Sequence, residues 1–220
     1  MAPINAVLFD YGMVLSGPPD PAAWARMRSI ANLSEEQFHN GYWNHRHAYD
    51  RGDLTAESFW TRAAAPTHAV ITPDQLAALI AGDVDYWSTL NPPMIAWARS
   101  LQRSHIPTGI LSNMPGPMET GLRTRHTWID NFPHHTWSHA LNLAKPEPAI
   151  YRHAIQGLHT PPENILFLDD RHENIAAAEA LGMQAIQYTT HNAFEREMRR
   201  RNLDHLLQLE SHTASQNGKL

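Results

Sequence analysis

Short apolar runs that alternate with helical segments constrain the fold of this chain most strongly. Runs rich in β-branched and aromatic residues occur at 6–9, 108–111, 165–168 and 185–188, with a weaker candidate at 136–138. Helical patterning fills most of the intervals, and Pro or Gly marks the helix starts and ends. Strands that alternate with helices form a parallel sheet covered by those helices. The sequence therefore predicts an α/β fold with a Rossmann-like parallel sheet.

A long segment without strand character separates the first apolar run from the second. It spans about ninety residues, far more than an ordinary crossover connection needs, so it must form structure of its own. Helix-start signals recur within it, because Ser34 with Gln37 and Thr72 with Gln75 fit capping boxes. We therefore predict an α-helical domain at 17–90, inserted into the α/β core.

The remaining residues complete the predicted domain organisation. We assign 1–16 and 91–205 to the core, and we expect the polar, unpatterned residues 211–220 to be disordered. The chain has no cysteine, which excludes disulfides, thiolate metal sites and cysteine nucleophiles.

Charge and hydropathy patterning limit the expected partners. The formal net charge is -5 and there is no basic stripe, so we expect no nucleic-acid partner. No stretch approaches the roughly 18 consecutive apolar residues of a membrane span, and the N-terminus lacks a signal-peptide pattern. We expect a cytoplasmic protein without a membrane partner, either a monomer or a homodimer.

The polar residues that follow the apolar runs are the first candidates for function, because the crevice of a doubly wound sheet lies outside the carboxyl ends of its strands. They are Asp10, Ser112, Asn113, Lys145, Asp169 and Asp170. Close carboxylates repel unless a cation lies between them, and oxygen ligands suit Mg²⁺, which also binds phosphate. Each residue alone is common in turns and helix caps. Together, the three acids suit Mg²⁺, Lys145 and Ser112 suit a phosphoryl group, and the order of these residues along the chain matters more than any one of them.

That order resembles the haloacid dehalogenase-like (HAD) hydrolase superfamily. Its four motifs are matched by FDYGMVL, ILSN, AKPEPAIY and FLDDRHENIAAAEALGM, within 4–15 and 91–190. The insert stands where the family's helical (C1) cap follows motif one. The FDxGxV/L form of motif one is similar to that of a phosphatase branch that includes sugar-phosphate phosphatases. The resemblance implies a Mg²⁺-dependent phosphatase that hydrolyses a small phosphorylated metabolite, such as a sugar phosphate.

The resemblance also implies roles for residues that react with or bind the phosphoryl group. Asp10 would be the nucleophile that forms an aspartyl phosphate. Ser112 and Lys145 would hold the phosphoryl group during catalysis, and Asn113 would contribute its backbone N–H.

A second set of implied roles concerns the metal. Asp10, the backbone carbonyl of Gly12 and Asp170 would bind Mg²⁺. Asp169 and Asn174 would orient Lys145 and Asp170.

One departure from the family pattern lies at Gly12, where most of the family's phosphatases have an Asp that protonates the leaving group. Its loss predicts a slow enzyme, a replacement acid or a substrate with a good leaving group. A replacement acid could come from the insert stretch YWNHRHAYDRGD, which contains His45, His47, Tyr49 and Asp50. From the same stretch, Arg46 is a candidate contact for a substrate anion or hydroxyl.

Two alternatives remain open at this stage. The missing acid could mark a catalytically weak or inactive protein that binds a phosphorylated ligand or a protein partner. A metal-free 2-haloacid dehalogenase is the other alternative, and the metal carboxylate Asp170 argues against it.

Overall fold

The computed structural model describes residues 2–67 and 70–209, and over these ranges it contains a five-stranded parallel sheet. The strands are β1 (Ala6–Phe9), β2 (Thr108–Ser112), β3 (His134–Trp137), β4 (Ile165–Asp169) and β5 (Gln184–Gln187). Their order in the sheet is β3-β2-β1-β4-β5, and every neighbouring pair is parallel. The predicted α/β fold with a Rossmann-like sheet is confirmed.

Strand β1 lies at the centre of the sheet, between β2 and β4. Val7 and Phe9 pack into the apolar layer on one face, and the alternate residues of β1 pack into the layer on the other. A parallel sheet covered on both faces requires such continuously apolar strands. Phe9 is in register with Ile110 of β2 and Leu168 of β4. The three strands therefore end at the same edge.

The segment 17–90, called the helical insert below, follows β1. It contains α1 (Pro21–Ala31), α2 (Glu35–Arg51), α3 (Ala56–Ala63) and α4 (Pro73–Tyr86). The capping boxes predicted at Ser34 with Gln37 and at Thr72 with Gln75 are present at the starts of α2 and α4. The chain leaves the α/β core near Ser16 and returns to it near Leu90, and these two residues form an antiparallel bridge.

The helices of the insert pack around an apolar cluster of their own. Its fully buried members include Met27, Phe38, Tyr42, Phe59 and Trp60. Aromatic side chains bury a large apolar area each, so they can hold a small helical unit together. The division into two domains stays a prediction.

The helices after the insert cover the two faces of the sheet. They are α5 (Pro92–Arg103), α6 (Gly116–Arg125), α7 (Ser138–Leu141), α8 (Pro148–Leu158), α9 (His172–Ala180) and α10 (His191–Arg200). No helix in the described ranges has the length and apolar character needed to cross a membrane. The predicted disordered segment 211–220 lies outside the described residues.

Candidate active site

Three strand ends bring predicted site residues to one edge of the sheet. Asp10 follows β1 directly, Ser112 ends β2 and Asp169 ends β4. The Asp10 backbone N–H donates to the Leu168 carbonyl over 2.8 Å, which continues the pairing of β1 with β4 as far as this edge. The backbone of the central strands thus sets the position of the carboxylates.

Lys145 is enclosed between two of these carboxylates. Its Nζ lies 2.9 Å from Oδ1 of Asp10 and 2.6 Å from Oδ2 of Asp169. Asn113 fixes the backbone of Lys145, because Asn113 Oδ1 accepts from its N–H over 2.9 Å and Nδ2 donates to its carbonyl over 3.0 Å. We predicted only a backbone role for Asn113. The side-chain contact adds that it positions the lysine.

Asp10, Asp169 and Asp170 form an acidic cluster in which one carboxylate oxygen of each lies within 4.8 Å of the others. Asp169 is engaged inside the protein, since it accepts from Lys145 Nζ and from Asn174 Nδ2 over 2.9 Å. Asn174 therefore bonds to Asp169, which in turn bonds to Lys145, and the predicted role of Asp169 and Asn174 in orienting Lys145 and Asp170 stays a prediction. Asp10 and Asp170 both line a cavity. Their oxygen donors fit Mg²⁺, which prefers carboxylates and water.

Burial and mutual repulsion of the carboxylates raise pKa values in this cluster. Burial raises the pKa of Asp10. The neighbouring carboxylates of Asp169 and Asp170 raise this pKa further, whereas the Lys145 ammonium group lowers it. Burial also raises the pKa of Asp170, with the Asp169 carboxylate contributing. Burial alone would lower the pKa of Lys145, but the two carboxylates beside it raise the pKa above its ordinary value. A divalent cation would favour the charged forms of the acids.

The turn after Asp10 leaves space beside the Asp10 side chain. Asp10 Oδ1 accepts from the Tyr11 N–H over 2.7 Å, which fixes the carboxylate. Gly12 has φ -61°, a value that any L-residue adopts. A Cβ added at Gly12 would meet no atom closer than Trp87, at 3.8 Å. Glycine is therefore not required at this position by the backbone or by packing.

The strand ends and the insert enclose a cavity of about 360 Å³. Its polar lining near the sheet comes from Asp10, Ser112, Asn113, Lys145, Asp170 and Asn174. Aromatic and methionine side chains form much of the remaining wall: Tyr11, Met13, Trp43, Trp87, Met114 and Met118. The cavity is thus lined by both polar and apolar side chains, as in many small-molecule sites.

Arg46 of α2 also lines the cavity, but its guanidinium is held within the protein. It donates from Nε to Asp50 over 2.6 Å and from Nη1 to both oxygens of Asp83 over 2.9 and 3.1 Å. Its Nη1 also makes a short contact with the Tyr42 hydroxyl. The predicted contact of Arg46 with substrate stays a prediction.

The other acid candidates of the insert are placed differently. His47 and Asp50 line the cavity, whereas His45 and Tyr49 are absent from its lining. Tyr49 is buried and stacks on Phe59, with 4.3 Å between ring centroids. Only two of these candidates therefore face the space in which a substrate could bind.

Comparison with known proteins identifies the family. A family model for the haloacid dehalogenase-like hydrolases matches residues 13–182, more than half of the chain. The chain belongs to this family. It is a HAD-like hydrolase whose parallel core carries an acidic cluster, a buried lysine and a cavity at one sheet edge.

Two curated fungal proteins are similar to this hydrolase in sequence. The sesquiterpene phosphatase astK of Aspergillus oryzae is 29% identical over 96 residues, which are 44% of this chain and 49% of that protein. The drimenol cyclase drtB of Aspergillus calidoustus is 22% identical over 199 residues, 89% of this chain and 36% of that protein. The hydrolase thus spans about half of the first relative and about a third of the second.

Solved structures show the same fold. The HAD family enzyme bt-2542 of Bacteroides thetaiotaomicron is 17% identical and superposes with a TM-score of 0.75, covering 90% of this chain and 100% of that chain. The wild-type form of that enzyme has been solved as a complex with magnesium and inorganic phosphate; it has a TM-score of 0.65, is 20% identical, and covers 86% and 96% of the two chains.

Proposed function

We propose that this hydrolase is a Mg²⁺-dependent phosphatase that forms an aspartyl phosphate on Asp10. The observation that carries the proposal is the enclosure of Lys145 between Asp10 and Asp169, at a cavity that Asp170 also lines. An ammonium group, together with a cation that a pair of carboxylates would hold, can neutralise the charge on the oxygens of a phosphoryl group. A carboxylate held rigidly beside them can then attack phosphorus.

The residues at the sheet edge have distinct roles in the proposed reaction. Asp10, Asp170 and the Gly12 carbonyl would hold Mg²⁺, which supplies charge neutralisation to the phosphoryl group when bound. Asp10 attacks phosphorus, the bond from phosphorus to the alcohol oxygen breaks, and water then hydrolyses the aspartyl phosphate. Lys145 and Ser112 hold the phosphoryl oxygens through both steps.

The lining of the cavity supports a substrate with an apolar alcohol portion. Trp43, Trp87 and Met118 line the same cavity as Ser112 and Lys145, the predicted phosphate-binding residues. A curated relative is named a sesquiterpene phosphatase, and a terpene alcohol has this apolar character. We propose a phosphate monoester of an apolar alcohol in preference to the sugar phosphate implied by motif one alone.

The helical insert would act as the cap of this site. Trp43, Arg46, His47 and Asp50 of α2 and Trp87 at the end of α4 contribute to the same cavity as the strand ends. A cap over a phosphoryl site limits the access of water and selects the alcohol.

The proposal is tested by phosphate release from a panel of monoesters that contains sugar phosphates, glycerol phosphate and farnesyl monophosphate. We expect release that depends on Mg²⁺, stops with EDTA and is abolished in Asp10→Asn. Asp20→Asn is the matched control, because Asp20 caps α1 on the surface of the insert. Normal turnover by a clean Asp10→Asn preparation would refute the mechanism.

A protein without turnover would give a different result on the same panel. It would release no phosphate from any ester, while phosphorylated ligands would still raise its Tm. Halide release from 2-haloacids in the presence of EDTA would instead support dehalogenation.

A further inference from the structure

The proposed reaction needs an acid for the leaving alcohol, and Gly12 has no side chain to provide one. Given the proposed phosphatase function, a replacement acid for an alkyl leaving group would have to come from the side chains that line the cavity. In the described part of the chain, the carboxylates that line the cavity are those of Asp10, Asp50 and Asp170. Asp10 is the nucleophile and Asp170 belongs to the acidic cluster, so Asp50 remains without a role.

The fold holds Asp50 over the strand ends. Its backbone carbonyl accepts from the Ser138 hydroxyl, and that hydroxyl oxygen also accepts from the Met114 N–H over 2.9 Å. Ser138 follows β3 directly, and Met114 lies in the loop after β2. The end of α2 is thereby attached to two loops that border the cavity.

Asp50 shares one cation with a second carboxylate. Arg46 Nη1 bonds to both oxygens of Asp83, whose side chain is 4% exposed, while Nε bonds to Oδ1 of Asp50. One guanidinium cannot neutralise two buried carboxylates, so one of them favours a proton. Among the described residues, Arg46 is the only hydrogen-bond partner of the Asp50 carboxylate, and it leaves Oδ2 unengaged. The less buried acid, Asp50, is 14% exposed and lines the cavity.

Electrostatics around Asp50 agree with this arrangement. Burial raises the pKa of Asp50 to about 7, the Asp83 carboxylate acts in the same direction, and the Arg46 guanidinium opposes the increase. A carboxyl group with such a pKa is partly protonated at neutral pH. The charged and titratable groups near it are Arg46, Asp83, Lys145, His139 and Tyr49.

We infer that Asp50 is the general acid and base of the reaction. As Asp10 bonds to phosphorus and the bond from phosphorus to the alcohol oxygen breaks, the Asp50 carboxyl gives its proton to that oxygen. The products of this step are the alcohol, the aspartyl phosphate and the Asp50 carboxylate. Asp50 then takes a proton from water as the water oxygen bonds to phosphorus and the Asp10–phosphorus bond breaks. Inorganic phosphate leaves, and both carboxyl groups return to their starting states.

Tyr11 and His47 also line the cavity and could give a proton to the leaving oxygen, but neither fits as well. The Tyr11 hydroxyl donates to the Trp87 carbonyl over 3.2 Å, and burial raises the pKa of Tyr11 above its ordinary value. His47 is exposed on α2. It is the direct competitor of Asp50 and is included in the test.

The test compares two esters in wild type and in Asp50→Asn, and the first-turnover rate measured is that at which the alcohol or phenol is released, before water hydrolyses the aspartyl phosphate. One ester is an alkyl phosphate, whose leaving oxygen needs a proton, and the other is p-nitrophenyl phosphate, whose leaving oxygen does not. We expect Asp50→Asn to slow the alkyl ester about 10²- to 10⁴-fold and to leave the p-nitrophenyl ester at the wild-type rate. The Asn side chain keeps an oxygen for Arg46 Nε, which preserves the local packing.

Control variants separate proton transfer from positioning. Asp83→Asn removes the other carboxylate charge on Arg46, so the guanidinium is left to neutralise Asp50 alone. We expect this variant to slow the alkyl ester at neutral pH and to leave the rate of the p-nitrophenyl ester unchanged. Equal slowing of both esters in Asp50→Asn, or no slowing, would overturn the inference. A loss confined to the alkyl ester in His47→Gln would assign the acid to His47 instead.

Two further measurements distinguish a wrong role for Asp50 from a wrong proposed function and from a variant that does not fold. Wild-type protein that releases phosphate from neither ester would refute the proposed function, whereas active wild type with a normal Asp50→Asn would refute only the role of Asp50. If Asp50→Asn does not fold, the wild-type rates decide, because only the alkyl ester is expected to slow as pH rises through about 7. The same pH dependence for both esters would count against Asp50.

Discussion

Arg51, the last residue of α2, donates from Nε to Oε1 of Glu147 over 3.0 Å. Glu147 lies two positions after Lys145, and Arg51 directly follows Asp50. The pair therefore connects the end of the insert that carries Asp50 to the loop that carries the buried lysine. Both side chains are partly exposed, at 31% and 38%.

Breaking this ion pair is expected to affect catalysis without a matching loss of folding stability. We expect Arg51→Ala to lower kcat/KM roughly two- to fivefold with little change in Tm, because exposed ion pairs contribute little to folding. The difference from wild type should shrink at high salt, which screens the wild-type pair. Arg26→Ala is the control, since Arg26 pairs with Asp85 inside the insert. An equal loss of kcat/KM in Arg26→Ala would contradict the prediction.

Gly12→Asp is expected to restore the acid that this chain lacks. The backbone at Gly12 accepts any L-residue, and the nearest atom to an added Cβ is 3.8 Å away. In an Asp50→Asn background the substitution should recover much of the lost rate on an alkyl phosphate, measured as phosphate release. Gly12→Asn in the same background is isosteric but carries no acid, so recovery with Asn as well would argue against proton transfer.

The order of the core elements could be predicted because their signals are local. Strands β1 and β4 are continuous apolar runs, and the polar residues at their ends stand out against them. Strand β3 begins at His134, two positions before the predicted run. The prediction missed these two positions because the strand sequence, HHTW, starts with polar residues. A strand at the sheet edge tolerates such residues, so periodicity alone could not locate it.

The contacts of the insert could not be predicted in the same way. Asp83 binds Arg46 although 37 positions separate them, and nothing in either local sequence indicates the pair. Whether Asp50 shares its cation depends on how α4 packs against α2. The stretch containing Arg46 and Asp50 was recognisable as a source of polar groups, but their roles depend on tertiary packing.

The pKa of Asp50 predicts the direction of a pH effect. An acid must be protonated to act, so the first-turnover rate on an alkyl phosphate should fall as pH rises through about 7. In Asp50→Asn the rate should be low throughout and lack this decline. Rapid-quench measurements from pH about 5 to about 9 cover both sides of this pKa. An unchanged decline in Asp50→Asn would assign it to another group.

Lys145→Met is expected to damage both catalysis and stability. Lys145 is buried between Asp10 and Asp169, so its removal leaves two carboxylates without their cation. Breaking a buried ion pair in this way costs about 3–5 kcal/mol of unfolding free energy at neutral pH. Urea unfolding in EDTA measures the loss without interference from a bound cation. A variant as stable as wild type would show that the acids are neutral in the folded protein.

Trp43 provides the sharpest test of the proposed substrate class. It lines the cavity on α2 and is 41% exposed, so an apolar alcohol in the cavity could cover it. Covering about half of such a side chain contributes about 1 kcal/mol, or roughly fivefold in affinity. Trp43→Ala should therefore raise KM for farnesyl monophosphate about fivefold and leave KM for glycerol phosphate unchanged. A rise in KM for both esters would indicate that Trp43 supports the cavity wall instead of contacting the alcohol.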